Sequence, residues 1–383
     1  MQAAYIARVR FTFAVPIPQN KESVITLMAF FSKGIVLAQH KEPAFSRPLV
    51  RFVNPQPAPL LPPHPVTDTA DLTAEDLIEI ARAAHIVDER DGRLLYRKLN
   101  RAKNRAAAVI ADAVDDEPYV SSKITPLLKL REDVLGGLQL CCRVAGTNAI
   151  HIMAYKNITD LETRIPSYLN GYKISRLRGG YPARPQAFLR HLPRGQQLTV
   201  GVGALIHLYR AVTLRRRQST VFLTVAGNCV ANSMNMEVSI GMTLQQVLER
   251  CGLTDEPTRV ISGGSMTGIA VVDTDRNLVS HTTRAILAFR ENLKEYNYSC
   301  INCGRCERVC PRGLSPMYIQ RFVENSYYLY LRDFEPQRCS GCGTCSYMCP
   351  SRLNVSRSVQ TAKEYALAHF GEIPDLEVDD LDV

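Results

Sequence analysis

CINCGRCERVCPRG, residues 300–313, and CSGCGTCSYMCPSR, residues 339–352, share the pattern C-x2-C-x2-C-x3-C-P. Three thiolates spaced by three residues can wrap three corners of an iron–sulfur cubane in one tight loop. The fourth cysteine opens a helix and characteristically ligates the neighbouring cluster. The spacing therefore assigns Cys300, Cys303, Cys306 and Cys349 to one 4Fe–4S cluster, and Cys339, Cys342, Cys345 and Cys310 to a second. Pro311 and Pro350 turn the chain away after the last ligand, and Gly304, Gly341 and Gly343 let the backbone approach the sulfides. A zinc site prefers two cysteine pairs and would leave a surplus thiolate here. A disulfide scaffold needs an oxidising compartment and usually a small secreted chain. Cys141, Cys142, Cys229 and Cys251 lack ligand spacing and read as buried thiols.

Around these repeats, 383 residues suffice for two or three domains, and 46% apolar residues fit a globular protein. The longest aliphatic stretch, VITLMAFF at 24–31, falls well short of the roughly 20 residues that span a bilayer. Membrane contact is thus expected only through partner subunits or the surface. The N-terminus carries Arg8 and Arg10 and no acid before Glu22, but FTFAVPIP is a poor signal peptide, and Met28 offers a second candidate start. The formal charge of +9 falls to roughly +5 if two clusters with their thiolates contribute about −2 each. Such a surface suits acidic partners such as small ferredoxins, or anionic headgroups. The basic runs YRKLNRAKNR and TLRRRQS lack aromatic stacking platforms, so nucleic acid is not an expected partner.

Residues 43–65 hold eight prolines and read as an extended strap rather than an element interior. An α/β pattern follows it. Thr73 and Asp76 form a capping-box pattern for a helix through about Ala84, AAAVIADAV reads as a buried strand, and AIHIMAY as another. VFLTVAG and NMEVSIG suggest a strand pair. Thr243 with Gln246 repeats the capping box, and RVISGGSMTGIAVV reads strand, glycine turn, strand. Together these make a small β-grasp-like unit before the cysteine repeats, which are separated by a helical stretch around Met317–Asp333. The expected division is an N-terminal extension and strap (1–70), an α/β domain (71–215), a β-grasp-like domain (216–290), a dicluster ferredoxin-type domain (291–365) and an acidic tail (366–383).

From about Asp71 to Thr361 the chain resembles the C subunit of the Rnf electron transport complex, a family related to the 51-kDa flavoprotein subunit of complex I. DLTAEDLIEIARAAHIV, DDEPYVSS, TVAGNCVANSMNMEVSIGMTLQQVLERCG, VISGGSMTGIAV and the two cysteine motifs carry the resemblance, and FSKGIVLAQHKEP looks like a worn N-terminal signature. It implies a mixed α/β (α+β) fold: a 51-kDa-like Rossmann-like domain, an SLBB β-grasp unit and a helical ferredoxin-like domain with two 4Fe–4S clusters. In that family a loop GLGGAGFPT cradles FMN and NADH. Here the same place reads HIVDERDGRLLYRKL, with Gly92 alone remaining and Asp88, Glu89 and Asp91 where phosphates would sit. ADAVDDEPY stands for the family's NGAECEPY, and RGGYPARPQAFL for KYPQGGEKQL. The proline-rich strap replaces the family's hammerhead barrel. Glu117, Tyr119, Gly263 and Gly264 mark what remains of a flavin region.

Three readings follow from the resemblance. The missing loop favours an electron-transfer subunit without its own NADH site, served by other redox subunits, a ferredoxin or a flavoprotein. It would sit in the cytoplasm, at most peripheral to the inner face of the cell membrane. The alternatives are an active FMN-dependent NADH dehydrogenase subunit with a rebuilt pocket, and a non-catalytic docking subunit whose clusters staple the fold.

Overall fold

Two reciprocal caps set the helix starts that the sequence announces. The Thr73 hydroxyl accepts from the Asp76 N–H at 3.2 Å while the Asp76 carboxylate accepts from the Thr73 N–H at 2.9 Å. Thr243 and Gln246 repeat the arrangement. Each cap satisfies backbone donors that a helix leaves orphaned. These details come from a computed structural model, which describes residues 49–52, 60–62, 71–155, 165–178, 181–183, 196–290 and 298–371. The segment FSKGIVLAQHKEP, the candidate start at Met28, most of the strap, most of RGGYPARPQAFL and the tail beyond 371 lie outside the described residues.

The first unit carries a five-stranded sheet. Its strands are β2 (Ala108–Ala113), β3 (Ile150–Tyr155), β4 (Tyr168–Leu169), β5 (Tyr172–Leu177) and β6 (Gln197–Gly201), in the order β4-β5-β3-β2-β6. All but β4 run parallel. β2 is buried at every position, as a central strand covered on both faces must be. Val109 and Ala111 join the main core under the helices, and Ile110 joins a smaller one with Met153 and Tyr155. Helices α1 (Ala74–Ala83), α2 (Leu95–Ala102), α3 (Ile124–Lys129), α4 (Arg131–Ala145) and α5 (Val202–Leu214) complete the unit. The paired glycines of α4 let it approach α5 closely. A Cβ at Gly137 would lie 2.2 Å from the Leu205 carbonyl oxygen, and one at Gly136 would strike the Tyr209 ring.

The second unit is a six-stranded sheet in the order β1-β8-β7-β11-β9-β10. The hairpin β7 (Thr220–Ala226) and β8 (Met234–Ser239) is followed by α6 (Leu244–Arg250), β9 (Arg259–Ser262), β10 (Ile269–Val271) and β11 (Ala285–Phe289). β11 runs parallel to β7, the pairing that defines the expected β-grasp-like arrangement. One reading needs correction: four residues of the strap form a regular strand, β1 (Leu49–Phe52), parallel to β8. Further along, Leu61 is buried, and its backbone bonds to Arg215. The strap therefore fills a sheet edge whose N–H and C=O groups would otherwise go unpaired.

The two sheets share a polar joint. Arg210 on α5 donates to Glu237 on β8 at 2.8 Å and to Asp133 on α4 at 2.9 Å, and Thr220 also donates to Glu237. Asn235 links Ser121, Thr224 and Thr125. The third unit contains the short helices α7 (Arg305–Arg308) and α9 (Thr344–Tyr347), with α8 (Pro316–Glu324) and α10 (Val355–His369) packed together over Leu314, Ile319 and Val359. The stretch Met317–Asp333, expected as helical, is broken at Ser326, whose φ of 59° ends α8 before a 3-10 segment at Tyr328–Phe334. Among the described residues, no helix is long and apolar enough to cross a membrane.

Candidate functional site

The two cysteine segments fold as near copies. α7 begins at Gly304 (φ 64°) and α9 at Gly343 (φ 72°), so Cys306 and Cys345 sit in equivalent first turns. Asn302 (φ 59°) stands where the second copy has Gly341 (φ 73°); asparagine is among the few side chains that tolerate this left-handed conformation.

The folded repeats enclose two small cavities. Cys300, Cys303, Cys306 and Cys349 line the first, with Ile301, Met317 and Leu353. Cys310, Cys339, Cys342 and Cys345 line the second, with Leu314, Pro316 and Val359. Each cavity thus draws three thiols from one repeat and one from the other. Among the described residues no trio of His, Cys, Asp or Glu converges on a single metal-ion position. A cubane is held by four cysteines around one space, and each hollow is lined by four. Donors reach the sulfurs as well: Leu314 N–H to Cys310 and Gly341 N–H to Cys339, both at 3.4 Å. Burial, then the neighbouring Cys339 and Cys342, push the Cys345 thiol up to about 12; metal coordination would draw off that proton.

The second cavity leans on the rest of the molecule. Tyr181 donates to the Cys342 carbonyl at 2.7 Å, and a Cβ on Gly343 would lie 2.3 Å from the Met266 carbonyl oxygen. Met266 belongs to the glycine turn between β9 and β10, where the residues of the flavin-like region are found. Glu117 accepts from the Met266 N–H at 2.9 Å, the Thr267 hydroxyl at 2.6 Å and Arg284 at 2.7 Å. Against the cost of burial, Arg284 and Thr267 hold its carboxyl below the usual range. A Cβ on Gly264 would overlap the Glu117 carboxylate. Gly263 (φ 110°) donates its N–H to Ala285. Tyr119 packs edge-on against Phe289. Glu117 and Gly264 are therefore together, and Tyr119 joins the apolar cluster of Ala285 and Phe289 beside Gly263. Thr267 lies in the stretch VISGGSMTGIAV, whereas Arg284, which also engages Glu117, carries no local motif.

The DERDG loop lies at the N-terminus of α5. Glu89 accepts from the Gly203 N–H at 2.7 Å and the Ala204 N–H at 3.0 Å, and Asp88 accepts from the Gly201 N–H. These are the donors that a helix offers to an anion. Gly201 has no room for a Cβ beside the two carboxylates, and one on Gly203 would sit tight against Glu89. Lys98 bridges Asp88 and Asp91 at 2.7 and 2.8 Å, and Arg90 pairs with Asp112. Lys98 thus compensates Asp88 and Asp91 inside the fold, while Glu89 rests on the helix N–H groups. Burial and the Asp88 charge push the Glu89 carboxyl up to about 7. A phosphate-bearing flavin does not fit this terminus, because the chain's own carboxylates occupy it.

The geometry describes a dicluster iron–sulfur protein with a β-grasp module. Residues 299–353 match the family model of the 4Fe–4S dicluster domain, and residues 222–270 match that of the SLBB domain. Over 241 residues the chain is 28% identical to the C subunit of the Na(+)-translocating ferredoxin:NAD(+) oxidoreductase complex of Acetobacterium woodii, covering 57% of this chain and 54% of that protein. It is 28% identical over 239 residues to the C subunit of the ion-translocating oxidoreductase complex of Rhodobacter capsulatus, covering 57% of this chain and 46% of that one. These relatives bear out the resemblance to the C subunit of the Rnf complex. The chain spans about half the length of each. A solved structure of an NAD+-reducing [NiFe]-hydrogenase in the H2-reduced state aligns with TM-score 0.47 and 13% identity, covering 81% of this chain and 62% of that chain.

Proposed function

We propose that the protein is the iron–sulfur electron-transfer subunit of an Rnf C-like oxidoreductase complex, without an NADH site of its own. The observation that carries this reading is the pair of cavities, each ringed by four cysteines drawn three and one from the two repeats. Cys300, Cys303, Cys306 and Cys349 would hold one 4Fe–4S cluster, and Cys339, Cys342, Cys345 and Cys310 the other. Each cluster, when bound, supplies one-electron redox chemistry. The chain's part is to hold eight thiolates in fixed positions and to shield them with Leu314, Met317, Leu353 and Val359. The domains divide as 71–215, 216–290 and 291–365 in this reading, with the strap fastened onto the second through β1 and onto the first at Leu61.

Glu117, Tyr119, Gly263 and Gly264 are read as the remains of a flavin region now used for fastening. Glu89 and Asp88 at the helix terminus support that view, and no observation favours the rebuilt-pocket alternative. Electrons would then come from another redox subunit, a ferredoxin or a flavoprotein. Contact with the inner face of the cell membrane would run through partner subunits. Anaerobic reconstitution, iron and sulfide analysis, electron paramagnetic resonance and cofactor extraction test the reading. About eight irons per chain, dithionite-reducible signals and no extractable flavin are expected. Bound FMN that NADH bleaches would overturn it. Clusters inert to every low-potential donor would turn the subunit into a docking piece.

A further inference from the structure

We propose that Arg312 and Ser340 raise the reduction potential of the second cluster and so draw the electron inward; the proposal rests on the two-cluster reading above. Both residues line the second cavity. The Nε and Nη2 atoms of Arg312 and the Oγ of Ser340 are buried and have no hydrogen-bond partner among the described residues. A guanidinium keeps its charge at every pH a protein meets, and burying one unpaired is costly. A cluster with its four thiolates is an anion, so the group held there supplies the counter-charge that the chain withholds. The orphaned donors thus fit the group that the eight cysteines imply.

The two repeats differ at the positions that matter. Two residues after its fourth cysteine the first repeat has Arg312; the second has Ser351 there, whose hydroxyl donates to the Ser299 carbonyl at 3.0 Å. After its first cysteine the second repeat has Ser340, where the first has Ile301, 65% exposed. Ser351 and Ile301 line the first cavity, which therefore receives a committed hydroxyl and an apolar chain instead of two unpartnered donor groups. Arg305 also lines the first cavity, but it is already engaged within the fold. Further polar groups gather at the second. Thr344 Oγ1 lies 3.2 Å from the Cys342 sulfur, the Gln360 amide donates to Cys339 Sγ at 3.7 Å, and Lys363 donates to the Cys339 carbonyl at 2.7 Å. Reduction adds one negative charge to a cluster, and positive charge and hydrogen bonds at its sulfurs favour that state. Arg312 and Ser340 therefore lift the second potential above what its cysteines alone would give. They bias the electron away from Cys300, the one exposed thiol of the eight.

The test is a mediated potentiometric titration of the anaerobically reconstituted holoprotein, followed by electron paramagnetic resonance. Arg312→Met should lower one of the two midpoint potentials by about 59 mV, a tenfold change in the one-electron equilibrium constant. Arg312→Lys should keep most of the wild-type value, and Ser340→Ala should lower the same midpoint by less. In a Cys306→Ser background, which damages only the first cluster, the Arg312→Met shift should persist. Arg308→Met, which removes an exposed arginine of the same repeat, should leave both midpoints in place. An unmoved midpoint, an upward shift, or a shift confined to the signal lost in Cys306→Ser would overturn the proposal. Should Arg312→Met bind less iron than the wild type, Ser340→Ala decides, and an unmoved midpoint there has the same force. Wild-type protein that binds no iron would sink the two-cluster reading itself; two reducible clusters with indifferent midpoints would sink the tuning alone.

Discussion

Cys349 lies in the second repeat yet lines the same cavity as Cys300, Cys303 and Cys306 of the first. Cys306→Ser and Cys349→Ser should therefore damage the same cluster, although the residues belong to different motifs. Both variants are expected to lose or convert one resonance signal and keep the other, with the β-grasp unit still folded. A Cys349 variant that instead lost the signal tied to Cys342 would refute the crossed ligand set. Another residue-scale expectation concerns His207, buried and stacked on Phe222 with ring centroids 5.8 Å apart. Burial pushes its pKa down to about 4, below the unfolded value of about 6.5. The stability it contributes is complete above pH ~6.5 and is lost as pH falls toward ~4. Urea titrations should show a loss of up to about 3 kcal/mol across that window, and His207→Phe should flatten it. The eight cysteines were legible because three-residue spacing is itself the chemistry. Arg284 was not, since nothing local links it to Glu117, far away in the chain.

Helices and strands depend on contacts that differ in how far they announce themselves. The capping boxes at Thr73 and Thr243 are written within four residues, so both helix starts can be read from sequence. The glycine pair of α4 is different, because glycine in a helix reads only as a weakness until the α5 backbone is seen against it. Gly137→Ala should cost about 1–3 kcal/mol in chemical denaturation, despite alanine's better helix propensity; a neutral result would mean the helices can separate cheaply. At the joint between sheets, Arg210→Ala would leave Glu237 buried without its cation. A loss of about 3–5 kcal/mol is expected, read from the same titration. The strand β1 was hidden for a related reason: prolines mark the strap as extended, but they do not say which edge it meets.

Across the whole molecule, the first two units have cores of their own, whereas the third packs its small core against the cysteines. Removing iron should therefore open residues 298–371 to protease while a fragment carrying both sheets survives. Equal protection of the third unit without iron would show that its few apolar residues suffice. The fold class and the order of units could be read from sequence, because each has a distinct pattern. Their mutual seating could not, for it rests on single contacts such as Tyr181 with the Cys342 carbonyl. The exchange of cysteines between repeats also sets a schedule for biosynthesis. Cys300, Cys303 and Cys306 leave the ribosome long before Cys349 does, so the first cavity stays open on one side during translation. In the proposed ligand set, whatever delivers iron and sulfide must wait until Cys349 has emerged, or guard a half-built cluster until that ligand arrives.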